Sequence, residues 1–520
     1  MYLNGVSSEE EIEEGEIERI LGFGKVRVNS PGRNAKAILS EYQLATLEDY
    51  RRSSGDILSW EELALVDGFS KETVEVLKPF LSLYSNNLPG AVDTSARKVH
   101  GNFLLRATDK NAGIIAKAKG NIWQIGAAIR SKAWPLFAGK PDWTAHAEVN
   151  LGRWDIVLGD YNIRYGQGVG IWSGFSMTSL STVGAFTRRA TGISPVFSFL
   201  PSEHRGAAVE YRYGRFSASA FGDIQGRFGS HVSYVSIHGQ TGLTIMSGMV
   251  SSDFTLNRKG VNISGEVSAK RKSTFAGKGA ATFKIGNTRM AFQGRVLPTR
   301  FTGKKYGEYG FAAGAEWKSP SWRQLAGKTG FGSSVPTHTV SFTADASLLP
   351  KPNIDPGRQQ LRLYGIWQWQ MTGTLALDTR YTGRLRNYEP SRNDVRIDLK
   401  YNSGPWISTL RLEGDYCSGY GVLSYLDGGY KADQLSAYLR LTAFSTSGWS
   451  SRIYCYERDA PGSFLVPAYY GKGAAASVYG SIKTIIKQSY RLKTCVRAAY
   501  TIKKEIPAVM SLRLQLHFDF

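Results

Sequence analysis

The sequence predicts an α + β chain in two parts: a small all-α domain, then a large antiparallel transmembrane β-barrel of about 16–24 strands. Three observations carry this. The chain ends Leu512-Arg513-Leu514-Gln515-Leu516-His517-Phe518-Asp519-Phe520, with Leu512, Leu514, Leu516, Phe518 and Phe520 on one face of an extended strand. From about residue 90 onward the apolar pattern keeps a period of two, while before it the period is helical. An apolar aromatic at the very terminus suits a barrel that closes its last strand against its first.

Composition fits. A chain of 520 residues exceeds one compact soluble core. Charged residues make up 21%, and there is no run of about 18 apolar residues, so membrane-spanning helices are excluded. A barrel escapes that requirement because only alternate residues meet lipid. Charge is split unevenly. Met1 to Gly90 holds 16 Asp+Glu and 9 Lys+Arg, and the remainder holds 27 acidic and 55 basic residues. A net −7 segment thus precedes a net +28 one, and the two can attract each other or an anionic partner. Cys417, Cys455 and Cys495 are sparse, odd in number and without metal-like spacing, and read as small apolar side chains on separate strands. A protein bound for the outer membrane is expected to carry a signal peptide. Met1-Tyr2-Leu3-Asn4-Gly5 instead runs straight into acid, as expected if the numbering starts after processing, if the start was assigned downstream of the true one, or if the barrel reading is wrong.

Taken in order, Glu9 to Ile20 holds seven glutamates and reads as an acidic arm or solvated helix. Leu39, Tyr42, Leu44, Leu47 and Tyr50 recur at helical spacing, and Gly55 stops that helix. Ser59 reads as an N-cap with Glu62 completing a capping box. Ser70 is a second N-cap after Asp67-Gly68-Phe69, and Pro79 closes the last helix. The helical segment is assigned to 1–88, with the repeat-like part at 28–83, and the barrel to 89–520.

Beyond the linker Tyr84-Ser85-Asn86-Asn87-Leu88-Pro89-Gly90, Val395, Ile397, Leu399 and Tyr401 alternate with Arg396, Asp398, Lys400 and Asn402. Trp406, Leu410 and Leu412 likewise oppose Thr409, Arg411, Glu413 and Asp415. The polar face is expected to line the lumen as an ion-pair ladder, with turns at Gly286-Asn287 and Asp427-Gly428-Gly429. One stretch breaks the rhythm. Gly159 to Phe175, with Tyr165-Gly166-Gln167-Gly168 and Trp172, opens a glycine-rich excursion through Arg188-Arg189 to Arg205. It is expected to fold into or over the lumen near 166–203, its glycines serving close backbone packing.

The helix, Gly-containing hairpin and helix at 28–83 resemble the helix-hairpin-helix unit of competence-type DNA receptors. The resemblance implies DNA-backbone contacts at the hairpin Gly68, Phe69, Ser70 and Lys71, although Ser70 replaces the usual second glycine and the hairpin around Ser40 has none. Gly-Asp-Tyr, Tyr-Gly-Gln-Gly and Trp-Ser-Gly at 159–174, with Gly192-Ile193-Ser194-Pro195 and Glu203-His204-Arg205-Gly206-Ala207, are similar to Gram-negative outer-membrane proteins that join such a domain to a barrel.

No catalytic triad, metal cluster, cofactor or nucleotide fingerprint stands out, and the chain is not expected to be an enzyme. The expected location is the outer membrane, in contact with the bilayer and lipopolysaccharide. The first functional expectation is a barrel that binds or passes a polyanion, DNA in particular. The second is a gated channel or an assembly scaffold for other envelope proteins, its acidic domain plugging a basic lumen. The basic excess faces either the lumen or outer loops such as Lys270-Arg271-Lys272 and Lys304-Lys305, where lipopolysaccharide would meet it.

Overall fold

The computed structural model describes residues 25–31, 35–85, 99–120, 122–132, 139–174, 179–196, 198–199, 202–258, 260–271, 274–302, 307–319, 337–351, 354–463, 465–487, 490–504 and 506–520. The acidic arm, most of the linker, Lys272 and Lys304-Lys305 lie outside those residues.

Among the described residues, four α-helices carry the first part: α1 (Ala35–Ile38), α2 (Glu41–Ser54), α3 (Trp60–Leu63) and α4 (Lys71–Leu77). Ser40 caps α2 in a complete capping box with Gln43, and Gly55 ends the helix at φ +89°. Ser59 caps α3 by accepting from the Glu62 N–H at 3.0 Å. The Glu62 carboxylate, however, reaches back one residue further than a capping box requires, to the Leu58 N–H at 2.8 Å. Ser70 caps α4, as expected from the sequence. The helices enclose their own core of Ile38, Leu47, Ile57, Leu63, Phe69, Leu77 and neighbours. A two-residue parallel pairing of Val26-Arg27 with Leu81-Ser82 joins the two ends of this unit. Buried Asn29 fastens the unit further, bonding both the N–H and the C=O of Ile57 at 2.8 Å.

The second part is a closed antiparallel barrel of 24 strands. The last strand, Ile506–Asp519, pairs with the first, His100–Thr108, from Arg513 opposite Thr108 to Asp519 opposite Asn102. Phe520 continues the ladder by exchanging both backbone bonds with Gly101, at 2.8 and 2.9 Å, and its ring lies over that glycine. Closure leaves no unpaired edge, which is what a strand in hydrocarbon requires.

Alternation then sorts the two faces. Leu158, Val232, Ile245, Phe254, Phe342, Leu412 and Leu441 point outward and are exposed, and buried Glu148, Ser233, Glu266, Asp398, Arg411 and Gln515 point inward. Water on the outside would penalise so much exposed apolar surface; lipid does not. This is an outer-membrane barrel.

Two sequence readings need correction. Asp427-Gly428-Gly429 is not a turn but lies within the strand Tyr420–Lys431. There Asp427 faces the lumen and bonds Arg440, while the bare backbone of Gly429 makes room for the Tyr438 ring. Of the cysteines only Cys495 lies in a strand; Cys417 follows the strand Trp406–Tyr416, and Cys455 follows the short strand Ile453–Tyr454. All three are buried free thiols.

Candidate functional site

The strand Trp154–Arg164 leaves the wall at Gly159. Its pairing with Asp142–Leu151 ends at Gly159 and that with His204–Tyr213 at Tyr161, and from Tyr161 to Arg164 it pairs with the short strand Gly192–Pro195. Gly159 sits at φ +94°, and a Cβ there would lie 2.1 Å from the Ala145 carbonyl oxygen, so only glycine permits the departure. Asp160 fixes the branch point: it accepts the Ala145 N–H at 2.7 Å and a two-pronged contact from Arg205 at 3.0 and 3.1 Å. Arg205 in turn lies over the Trp143 ring at 3.7 Å.

The chain then runs into the lumen, and one carboxylate receives it. Glu266, on the strand Val261–Lys270, accepts the backbone N–H groups of Gln167 (2.6 Å), Val169 (2.9 Å) and Gly170 (2.7 Å) together with the Ser251 hydroxyl (2.7 Å). Gly166 (φ +59°) and Gly168 (φ +78°) shape this turn, and a Cβ on Gly166 would come within 2.6 Å of the Glu266 carboxylate. Gln167 and Arg188 exchange side-chain-to-backbone bonds at 2.9 and 3.1 Å, folding the excursion onto itself. Arg188 and Arg164 lie over Trp172 at 5.0 and 5.8 Å. Tyr165 stacks on His231 at 3.8 Å and bonds Ser219 at 2.6 Å. Burial lowers the proton affinity of the Arg188 guanidinium and pushes the Tyr165 phenol well above its ordinary value. Farther on, Leu180, Val183 and Phe186 pack on Ala291 and Ala312 of the wall, with Thr343 donating to the Leu180 carbonyl at 2.6 Å.

A second fold enters from the same mouth. Between the strands Leu435–Thr446 and Lys472–Lys487 the chain turns inward, carrying a small pairing of Ile453-Tyr454 with Ala468-Tyr469. Its anchors are ionic: Glu457 with Arg497, Asp459 with Arg513, and Arg458 with Asp427, which Arg440 also engages. The wall residues Leu423, Tyr425 and Phe444 pack on its Ile453, Cys455 and Tyr469.

The helical domain meets the opposite mouth, where most connections are tight turns and where both ends of the barrel, His100 and Asp519, lie. Short turns of outer-membrane barrels face the periplasm. Lys36 pairs with Glu210 and, at 3.6 Å, with Asp155. Asp49 meets Arg215 at 2.5 Å, and Tyr42 donates to the Ile237 carbonyl at 2.9 Å. Glu41 accepts from Gln240 at 2.6 Å and Ser233 at 3.2 Å. Arg189 of the first inward fold bonds the Ile38 carbonyl, so this fold bridges lumen and helical domain.

The structure therefore brings Tyr165, Gly166, Gln167, Gly168, Trp172, Arg188 and Arg189 together and holds Arg205 at the branch point. In the hairpin, Gly68, Ser70 and Lys71 are exposed, but Phe69 is 2% exposed in the helical core and presents nothing to a partner. An aromatic between two capping turns is where the helices bury their apolar face. Sequence reasoning did not reach Glu266, the ionic second fold, or the domain contacts at Lys36, Glu41 and Asp49. The ladder does form: Asp398 binds Arg396 at 2.9 Å and Arg411 at 2.5 Å, and Lys400 binds Asp378 at 2.6 Å.

Neither a protein-family model nor a curated protein matches the chain. Among solved structures, the P pilus usher (PapC) translocation pore is similar over 81% of this chain and 99% of its own, at 9% identity and TM-score 0.38. The Pseudomonas aeruginosa outer membrane protein opdK matches over 81% of this chain and 99% of its own, at 10% identity and TM-score 0.32. An E. coli P pilus tip assembly intermediate, PapC-PapD-PapK-PapG, matches over 85% of this chain and 63% of its own, at 10% identity and TM-score 0.49. No site or activity is carried across from such likenesses.

Proposed function

We propose that the protein is a gated outer-membrane channel closed by two elements in series. The helical domain sits at the periplasmic mouth, and the first inward fold narrows the lumen behind it. The observation that carries this reading is the polar character of the domain's docking. Lys36, Glu41, Tyr42 and Asp49 meet the barrel through ion pairs and hydrogen bonds, while the domain keeps its apolar core to itself. Such an interface separates without exposing an apolar surface, as a gate must. The same docking suits an assembly scaffold, in which the domain would be handed to another envelope protein.

Planar-bilayer conductance separates the two. A channel lacking residues 1–88 should show larger and more frequent openings than the full chain. Equal conductance would remove the gate, and loss of a co-purifying envelope protein on deletion would favour the scaffold. A DNA-passing role rests on the resemblance of the helical hairpin and on the exposure of Gly68, Ser70 and Lys71. Salt-sensitive DNA binding that disappears in Lys71→Glu would establish it, and no binding at low salt would end it.

A further inference from the structure

The anchors of the first inward fold run round the wall as far as Thr343, on the strand Thr337–Lys351. Those of the second begin at Arg392, which donates to the Arg452 carbonyl at 2.7 Å. None of the anchors named falls on the two strands between, Ile354–Gln370 and Leu375–Arg386. On their lumen face like charges stand opposite one another, Asp378 facing Asp398 toward the periplasmic end and arginines facing arginines above it. Arg362 stands opposite Arg384, which stands opposite Arg392, and in a lower row Arg380 stands opposite Arg396. Their outward neighbours Trp367, Leu385 and Val395 are exposed to lipid, which fixes the direction of the arginines.

Like charges directly across a ladder are destabilising. The next pair of strands sets Arg396 opposite Glu413 and Asp398 opposite Arg411, while Asp394, on the same face between Arg392 and Arg396, stands opposite Asp415. In the arginine row the acids at either end are already engaged: Asp345, opposite Arg362, binds Arg295 at 2.7 Å, and Asp415 binds Arg392 at 2.6 Å. Nearer the mouth, Arg358 and Arg386 share Glu389 at 2.5 and 2.6 Å. Among the described residues, Arg362 and Arg384 form no ion pair, and the Arg384 Nε is buried without a hydrogen-bond acceptor. Over 354–403 the chain holds eight Arg and Lys against five Asp and Glu.

We infer that this row is an anion-binding stripe whose ligands are small multivalent oxyanions, carboxylates or phosphates, reached from the extracellular mouth. Guanidinium forks suit such groups because each presents two parallel N–H donors to two oxygens. Rings and rows of arginine are also how a pore prefers anions. Binding is a property of the wall itself; passage of the anion rests on the gated-channel reading.

The test uses the full chain in detergent with citrate as probe. Wild type should bind citrate at low salt, and Arg362→Gln/Arg384→Gln should weaken binding by about tenfold or more, while Arg362→Lys/Arg384→Lys, which keeps the charge, should lose less. Heat-modifiable gel migration checks that each variant is folded. In bilayers under a KCl gradient, the Gln variant should shift the reversal potential toward cations. No citrate binding by wild type, or equal binding by wild type and the folded Gln variant, would overturn the stripe. If citrate binding depends on the arginines but deletion of 1–88 leaves conductance unchanged, the stripe stands and the gate falls. If deletion opens the pore but the Gln variant binds citrate like wild type, the reverse holds.

Discussion

The two folds that enter the lumen from the same mouth are secured in opposite ways. The first, at 165–199, hangs its leading turn on one carboxylate, Glu266, which accepts three backbone amides at 2.6–2.9 Å. The second, at 447–471, is fastened by separate charged pairs on different strands, through Glu457, Asp459 and Arg458. A single shared acceptor concentrates the hold on the turn at 167–170 in one residue, although Leu180, Val183 and Phe186 seat the later part of the fold on the wall, and distributed pairs make any one of them dispensable. On the gated-channel reading, the leading turn of the first fold is the part expected to move and the second fold stays as lining. The first is also the one that touches the helical domain, through Arg189.

The largest break of this contrast is expected from Glu266→Ala. Each buried amide left without an acceptor costs about 1–3 kcal/mol, so the turn leaves its seat rather than bear three such costs. Limited proteolysis within 166–190, followed by mass spectrometry, should accelerate by about tenfold or more. Next comes Gly166→Ala. An alanine at φ +59° costs about 1–2 kcal/mol, and its Cβ would press on the Glu266 carboxylate, so cleavage in the same segment should rise severalfold. Asp459→Asn removes one of the second fold's pairs, and proteolysis within 447–471 should change by less than about twofold because the others hold. The smallest effect belongs to Asp49→Asn at the periplasmic mouth. That pair with Arg215 is about one-third exposed and worth roughly 0.2–1 kcal/mol, so the variant should add little to what raised salt already does to domain docking.

What the sequence disclosed follows from how each signal is written in it. Alternation over Val395–Tyr401 and Leu512–Phe520 is local, and the outward faces and the closing strand follow from it. The first inward fold was visible because Gly166, Gly168 and Gly170 interrupt a period of two. Its receptor was not, since Glu266 lies about 100 residues away on a strand whose pattern is regular. The second fold carries no such mark, because Ser445-Thr446-Ser447-Gly448 has the composition of an ordinary outer loop. The acids Glu457 and Asp459, spaced to face the same wall, were the available clue. Asp427-Gly428-Gly429 misled for a related reason: glycine marks turns, but in a barrel it also marks where a neighbouring tyrosine ring must lie flat on the strand.

Two closures in series make a demand that a single gate does not. Conductance should be measured for Glu266→Gln, for the deletion of 1–88, and for the two combined. The combination should open the pore well beyond either change alone, since each leaves the other closure in place. A combined variant that conducts no more than the deletion by itself would contradict the account, leaving the glycine-rich fold as fixed lining like its neighbour.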